Sequence, residues 1–244
     1  MMSARAASPL RLRLILFAFG DFAFNLYWQS TMLFLLFYYT DALGLRMEVA
    51  GTIFMVASIW DGIANFIAGI IVDRRQGARF YGAMLMLGSV PLGLTFILTY
   101  LPLGTSFWGL ALIVGGHLLF RTAYAAVNVP YLAMTARISS DSGDRAFVAG
   151  MRMLFGTMAA VLVALGTVPL GGWIAGNREA TQAYLGAALL AALLGTLILL
   201  LVGATYKEVE APPAPPRTSV TFLRGVLSLA VAVISSPRHR GAGS

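Results

Sequence analysis

Ser58-Ile-Trp-Asp-Gly-Ile-Ala-Asn-Phe-Ile-Ala-Gly-Ile-Ile-Val-Asp-Arg-Arg-Gln-Gly-Ala-Arg79 decides how the chain is read. The stretch starts as an apolar helix with a carboxylate, Asp61, in its middle. It ends in a charged, glycine-containing turn where Asp73, Arg74, Arg75 and Arg79 crowd together. An acid inside hydrocarbon is costly and marks a functional site by default. A basic turn marks the face of the membrane at which a span leaves.

Composition agrees with a membrane reading. The chain has 244 residues, of which 59% are hydrophobic and 11% charged, against about 25% charged in a soluble domain. Repeated apolar runs of about 20 residues predict an all-α polytopic membrane protein. The net charge of +7 implies no nucleic acid, because the arginines fall between spans and at the ends rather than on one aromatic-interleaved face. The absence of cysteine excludes disulfides, Cys-ligated zinc and thiol chemistry. The first apolar run passes Asp21 and continues to about Thr40, too long for a signal peptide, so it reads as a span.

Six spans are predicted: Leu14–Thr40, Val49–Val72, Phe80–Leu101, Phe107–Thr135, Phe147–Pro169 and Ala183–Ala204. They divide the chain into a cytoplasmic N-terminus (1–13), a six-span domain (14–204) and a cytoplasmic tail (205–244). On one side of the spans lie Arg5, Arg11, Arg13, Arg74, Arg75, Arg79, Arg137, Arg145 and Lys207, and on the other only Arg46 and Arg178. The basic side is the cytoplasmic one, which places both ends inside. Glu210–Arg217 is a proline-rich connector. Val220–Ile234 is too interrupted to span, and Ser235–Ser244 has no structural pattern.

Polar side chains recur along the spans at helical spacing. Asp21, Asn25 and Gln29 line one stripe of the first, and Asp61 and Asn65 share a face of the second. His117, Arg121, Tyr124, Asn128, Tyr131 and Thr135 step down the fourth, and Arg152 lies near the cytoplasmic end of the fifth. A rise of about 1.5 Å per residue puts Asp21 and Asn128 roughly 12–14 Å, and Asp61 roughly 18 Å, from the inner basic belt. All three are thus expected near the midplane, where transporters place their sites. Arg121 cannot shed its charge, so it needs Asp21 or Asp61 as a partner.

Gly69-x-x-x-Asp73-Arg74-x-x-Gly77-x-Arg79 between spans two and three resembles the signature loop of the major facilitator superfamily, and suggests a charge latch that holds one gating state. Gly20-Asp21, Tyr39-Thr40-Asp41, Ile59-Trp60-Asp61, Asn128-Val129-Pro130-Tyr131 and Met151-Arg152 further resemble the glycoside–pentoside–hexuronide:cation symporter family, over about residues 12–210. The resemblance implies Asp21 and Arg152 as sugar ligands, with Tyr124 and Asn128 beside them. It also implies Asp61 and Asn65 as the cation site, with Asp61 the Na⁺ ligand if coupling is to sodium. Asn65 and Asn128 stand where the family carries acids, and Asn offers an oxygen but neither a charge nor a proton. Leu132 stands where the family has an aromatic.

Members of that family have about twelve spans, so the chain is expected to be an N-terminal half that works with a complementary six-span half. The function expected is a symporter of a sugar- or glycoside-like solute in the bacterial inner membrane, coupled to Na⁺ or H⁺ and needing no other cofactor. Two alternatives stand beside it: transport of an amphiphilic or lipid-like solute, and a non-transporting membrane fragment or assembly subunit. No nucleophile–base pair, metal cluster or phosphate-binding loop argues for an enzyme.

Overall fold

The computed structural model describes residues 9–74, 78–104, 106–176 and 180–206. Arg5, Arg75, Gly77, Arg178, Lys207, the proline-rich connector, the Val220–Ile234 run and the tail lie outside the described residues. Seven α-helices follow in order: α1 (Pro9–Ala18), α2 (Gly20–Ser30), α3 (Met47–Arg74), α4 (Ala78–Thr99), α5 (Phe107–Thr135), α6 (Ser142–Ala175) and α7 (Ala180–Thr205). Two π-helical turns, Thr31–Leu35 and Tyr38–Ala42, extend α2. Helices α3 to α7 are each long and apolar enough to cross a membrane.

The first expected span is the composite one. It breaks at Phe19, where a tight turn from the Phe22 N–H to the Phe19 carbonyl (3.1 Å) replaces regular pairing. Gly20 is required there, since a Cβ on it would lie 2.8 Å from the Tyr131 ring of α5. The Tyr131 hydroxyl in turn donates to the Phe17 carbonyl at 2.9 Å, just before the break. Further along, the π turns shift the register of the outer part of the span, a distortion that tends to accompany functional sites.

Two helices outrun their apolar windows. Helix α6 begins at Ser142, before the expected Phe147, because the Asp141 side chain caps it by accepting from the Asp144 N–H at 2.9 Å. It continues through Pro169 to Ala175 and stops on Gly176 at φ +64°, a left-handed cap that favours glycine. A proline costs only one backbone bond, which a membrane bundle absorbs. Helix α3 likewise carries the signature acid and Arg74 as its own last turn.

In the bundle α2 packs on α6 and α7, α4 on α5 and α7, and α3 on α5. Small residues set the tightest approach: a Cβ on Gly186 of α7 would lie 2.5 Å from the Gly171 carbonyl of α6. Close backbone contact of this kind drives helix association where lipid tails remove the hydrophobic incentive. Tyr27 enters beside Gly195 and donates to the Ala192 carbonyl at 3.1 Å, joining α2 to α7. Large apolar side chains point outward from the bundle, among them Phe66, Leu87, Leu165 and Trp173. The interior, by contrast, holds tyrosines, a histidine and an arginine.

Candidate functional site

Asp21 is the second residue of α2, immediately after the break, and it faces α6. Arg152 of α6 grips it through two parallel bonds: Nε donates to Oδ2 at 2.9 Å and Nη2 to Oδ1 at 3.0 Å. Its third nitrogen, Nη1, donates to the Thr135 hydroxyl at the end of α5, 2.8 Å away. The Tyr131 ring lies 5.1 Å from the guanidinium carbon, within cation–π range. Both charged side chains keep 17% exposure. Arg152 therefore turns inward and does not snorkel. A guanidinium has five N–H donors and a carboxylate about four acceptor positions. Three donors and two acceptors are spent here, so the pair is neutral yet still offers both donors and acceptors to a polar ligand.

A second pair lies elsewhere in the bundle. Arg121 of α5, 2% exposed, reaches Asp61 of α3 only at 3.8 Å, from Nη1 to Oδ1. That is an ion pair but not a hydrogen bond. Arg121 Nε also donates to His117 Nε2 at 3.4 Å, which leaves the imidazole proton on Nδ1. The guanidinium lies over the Trp28 ring at 4.9 Å. Four buried polar atoms in this cluster have no hydrogen-bond partner: Asp61 Oδ1, Arg121 Nη2, His117 Nδ1 and the Tyr39 hydroxyl. Beside it, Trp60 Nε1 donates to the Thr122 hydroxyl at 2.8 Å and pins α3 to α5 at the level of the pair.

Aromatic side chains separate the two pairs. Trp28 meets Tyr124 at 5.4 Å, Tyr124 meets Phe24 at 5.7 Å, and Phe24 meets Tyr131 at 4.9 Å. From Asp21 to Trp28, the ring under Arg121, is about 10 Å of helix rise, and the aromatic layer fills that interval. Tyr124 belongs to this aromatic layer; the ring that touches Arg152 is Tyr131. Asn25 and Gln29 continue the stripe as a ladder, Asn25 donating to the Asp21 carbonyl at 2.9 Å and Gln29 to Asn25 Oδ1 at 3.4 Å.

Asn65 donates its amide to the Asp61 carbonyl at 2.8 Å, which leaves its own oxygen as an acceptor next to the acid. Asn128 is half-buried on α5. Gly69, Asp73, Arg74 and Arg79 all lie at the α3–α4 junction, far along α3 from Asp61. Among the described residues, no group of three or more His, Cys, Asp or Glu side chains converges. An open apolar concavity of about 650 Å³ lies along α6; Leu154, Met158, Val161 and Leu165 line it and none of the charged residues does. Thr135, Tyr131, Trp28 and His117 complete the two clusters. Three of them already stood on the α5 polar stripe, whereas Trp28 carried no signal beyond being aromatic.

Known proteins share this arrangement of sequence. YagG of Escherichia coli (strain K12), by name a candidate glycoside/cation symporter, is 29% identical over 84% of this chain and 45% of its own length. The inner membrane symporter YicJ of the same organism is 27% identical over 81% of the chain and 43% of its own length. The isoprimeverose transporter of Lactiplantibacillus pentosus is 26% identical over 79% and 41%. The chain thus spans less than half the length of these relatives. Residues 16–230 match the family model of MFS/sugar transport proteins, nearly the whole of the bundle and its charged interior, and the chain belongs to that family of multi-pass membrane proteins.

Proposed function

We propose that this chain forms the solute- and cation-binding half of a symporter for a polyhydroxylated solute, a sugar or glycoside. The observation that carries the reading is the Asp21–Arg152 pair. It is bidentate, neutral and partly exposed, with donors and acceptors to spare, and it is braced by Thr135 and Tyr131. Adjacent hydroxyls on a sugar ring each donate and accept, so a vicinal diol matches what the pair leaves open. A simple anion or cation would have to break the pair to bind. The names of YagG, YicJ and the isoprimeverose transporter support the class of substrate and the coupling.

The cation acts at Asp61. One carboxylate and the neighbouring Asn65 oxygen suit a monovalent ion such as Na⁺, or a proton, better than a divalent ion needing six or more oxygens. Tyr124 and Asn128 line the path between the two pairs. Alternating access then comes from rocking of this bundle against a complementary set of spans, with Gly69, Asp73, Arg74 and Arg79 latching the inner face. The relatives' additional length supports the complementary half, and the clustering of arginines at one set of helix ends supports cytoplasmic termini in a bacterial inner membrane.

Uptake of a panel of radiolabelled glycosides into proteoliposomes, with and without a Na⁺ or pH gradient, tests the reading. Accumulation that Asp21→Asn and Arg152→Gln both abolish supports it. Equal accumulation by the wild type and these variants overturns it, and vigorous transport by the chain as a monomer overturns the complementary half.

A further inference from the structure

The Asp61 carboxylate has a cation beside it already. Arg121 is almost fully buried, yet it holds Asp61 at 3.8 Å, too far for a hydrogen bond and close enough for strong attraction between full charges. Neither its Nη2 nor Asp61 Oδ1 has a hydrogen-bond partner. The guanidinium is at the same time held by groups other than Asp61: its Nε donates to His117 Nε2 and it lies over the Trp28 ring, with the Tyr39 ring, whose hydroxyl has no hydrogen-bond partner, packed against His117. A pair built for stability would close to a bidentate contact, as Arg152 does with Asp21. This one stays open, and the arginine keeps a hydrogen bond to His117 and the Trp28 face that do not depend on Asp61.

We infer that Arg121 is a tethered competitor of the coupling cation: it neutralises Asp61 when the ion is absent, and an arriving alkali cation releases it from Asp61 while His117 and Trp28 retain it. The inference rests on the proposed cation role of Asp61 and adds a residue that sets the affinity of that site. With Arg121 in place, a bound ion adds charge to a site that is already neutral. Removing the guanidinium leaves an unbalanced carboxylate that attracts the ion. The arginine thereby keeps the site empty except at high cation concentration, and couples its filling to movement of a side chain that touches both α2 and α5.

Trp28 lies on the guanidinium and reports its release from Asp61. The full chain in lipid nanodiscs is titrated with NaCl and LiCl at constant ionic strength, choline chloride making up the difference, while tryptophan fluorescence and melting temperature are recorded. Arg121→Gln is expected to lower the half-saturating Na⁺ concentration at least tenfold and to make melting more Na⁺-dependent than in the wild type. Arg121→Lys, which keeps the charge, is expected to retain the weak wild-type affinity. Asp61→Asn is expected to abolish saturation in either background. Should Arg121→Gln fold poorly without salt, its rescue by Na⁺ and not by choline is itself the expected result.

Saturation of equal strength in the wild type and Arg121→Gln, still lost in Asp61→Asn, overturns the competitor while leaving the cation site standing. A tenfold gain in Arg121→Lys as well shows that shape rather than charge is at work and also overturns it. Absence of saturable Na⁺ or Li⁺ effects in every variant overturns the cation site and the competitor together.

Discussion

Two ion pairs, each an aspartate and an arginine on different helices, are separated by an aromatic layer and are built in opposite ways. Asp21–Arg152 is closed: two bonds of 2.9 and 3.0 Å, a third to Thr135, and an aromatic face below. Asp61–Arg121 is open: one contact of 3.8 Å and four unpartnered polar atoms nearby. The carboxylates are about equally exposed, at 17% and 19%, but the guanidinium of the closed pair is 17% exposed and that of the open pair 2%. The closed pair can be reached from outside, while the guanidinium of the open pair is sealed. A closed pair with spare donors recognises a ligand without being broken. An open pair with its cation buried exchanges partners. The two proposed roles rest on this difference in geometry, since the residue types are the same in both pairs.

The largest effect is expected at the closed pair. Arg152→Ala leaves the Asp21 carboxylate uncompensated inside the bundle, and breaking a buried pair from one side costs about 3–5 kcal/mol. Asp21→Ala should cost a similar amount, and the double variant should recover much of the loss. Thermal unfolding in detergent of the three variants checks this; losses that simply add would show the pair is not coupled. At the open pair, Asp61→Asn removes attraction but no hydrogen bond. Arg121 is then a buried charge without its acid but keeps His117 and Trp28, so a loss at the low end of that range, about 3 kcal/mol, is expected, together with intact solute binding and loss of Na⁺ or pH dependence. If both sites lose stability equally, the contrast between closed and open pairs collapses.

Between these lies the break that aims Asp21 at α6. Gly20→Ala puts a Cβ 2.8 Å from the Tyr131 ring. The ring must move, and it is the surface under Arg152. A loss of about 1–3 kcal/mol, as for overpacking elsewhere, is expected, with weaker solute binding. An unfolding midpoint unchanged from wild type would show that the ring shifts freely and that the break does not depend on glycine.

The contrast between the pairs also marks how far the sequence could be read. Apolar runs identify an all-α membrane bundle because hydrocarbon permits few backbone solutions, and helical spacing alone puts His117, Arg121, Tyr131 and Thr135 on one stripe; of the six spans expected, α3 to α7 are each long and apolar enough to cross, and the first is the broken α1–α2 segment. Spacing along α5 cannot say which arginine meets which acid, since that depends on the azimuth of α2 and α3 around it. Depth counted from the arginine belt puts Asp21 and Asn128 roughly 12–14 Å and Asp61 roughly 18 Å inside, and it carries no trace of the break at Phe19 or of the aromatic layer of Phe24, Trp28 and Tyr124. Tyr124, expected beside the sugar ligands, lies in the aromatic layer against Phe24 and Trp28, while the ring on Arg152 is Tyr131, held by its bond to the Phe17 carbonyl, which no periodicity reveals. The start of α6 at Ser142 was legible in principle, because Asp141 three residues before Asp144 is a capping pattern.

The smallest effect sharpens the comparison most, because it isolates that hydroxyl. Tyr131→Phe keeps the ring against Arg152 and the packing against Phe17 (4.8 Å) while deleting the bond to the Phe17 carbonyl. A single buried hydrogen bond contributes about 1 kcal/mol, and the carbonyl left behind lies where the helix has already lost regular pairing. A loss of about 1 kcal/mol is therefore expected in thermal unfolding, with the cation response at Asp61 untouched. Hydrogen exchange of the backbone amides around Phe19 is the sharper readout: it should quicken in Tyr131→Phe but not in Asp61→Asn. Equal quickening in both would mean that the aromatic layer does not insulate the two pairs, and the sites would then have to be treated as one.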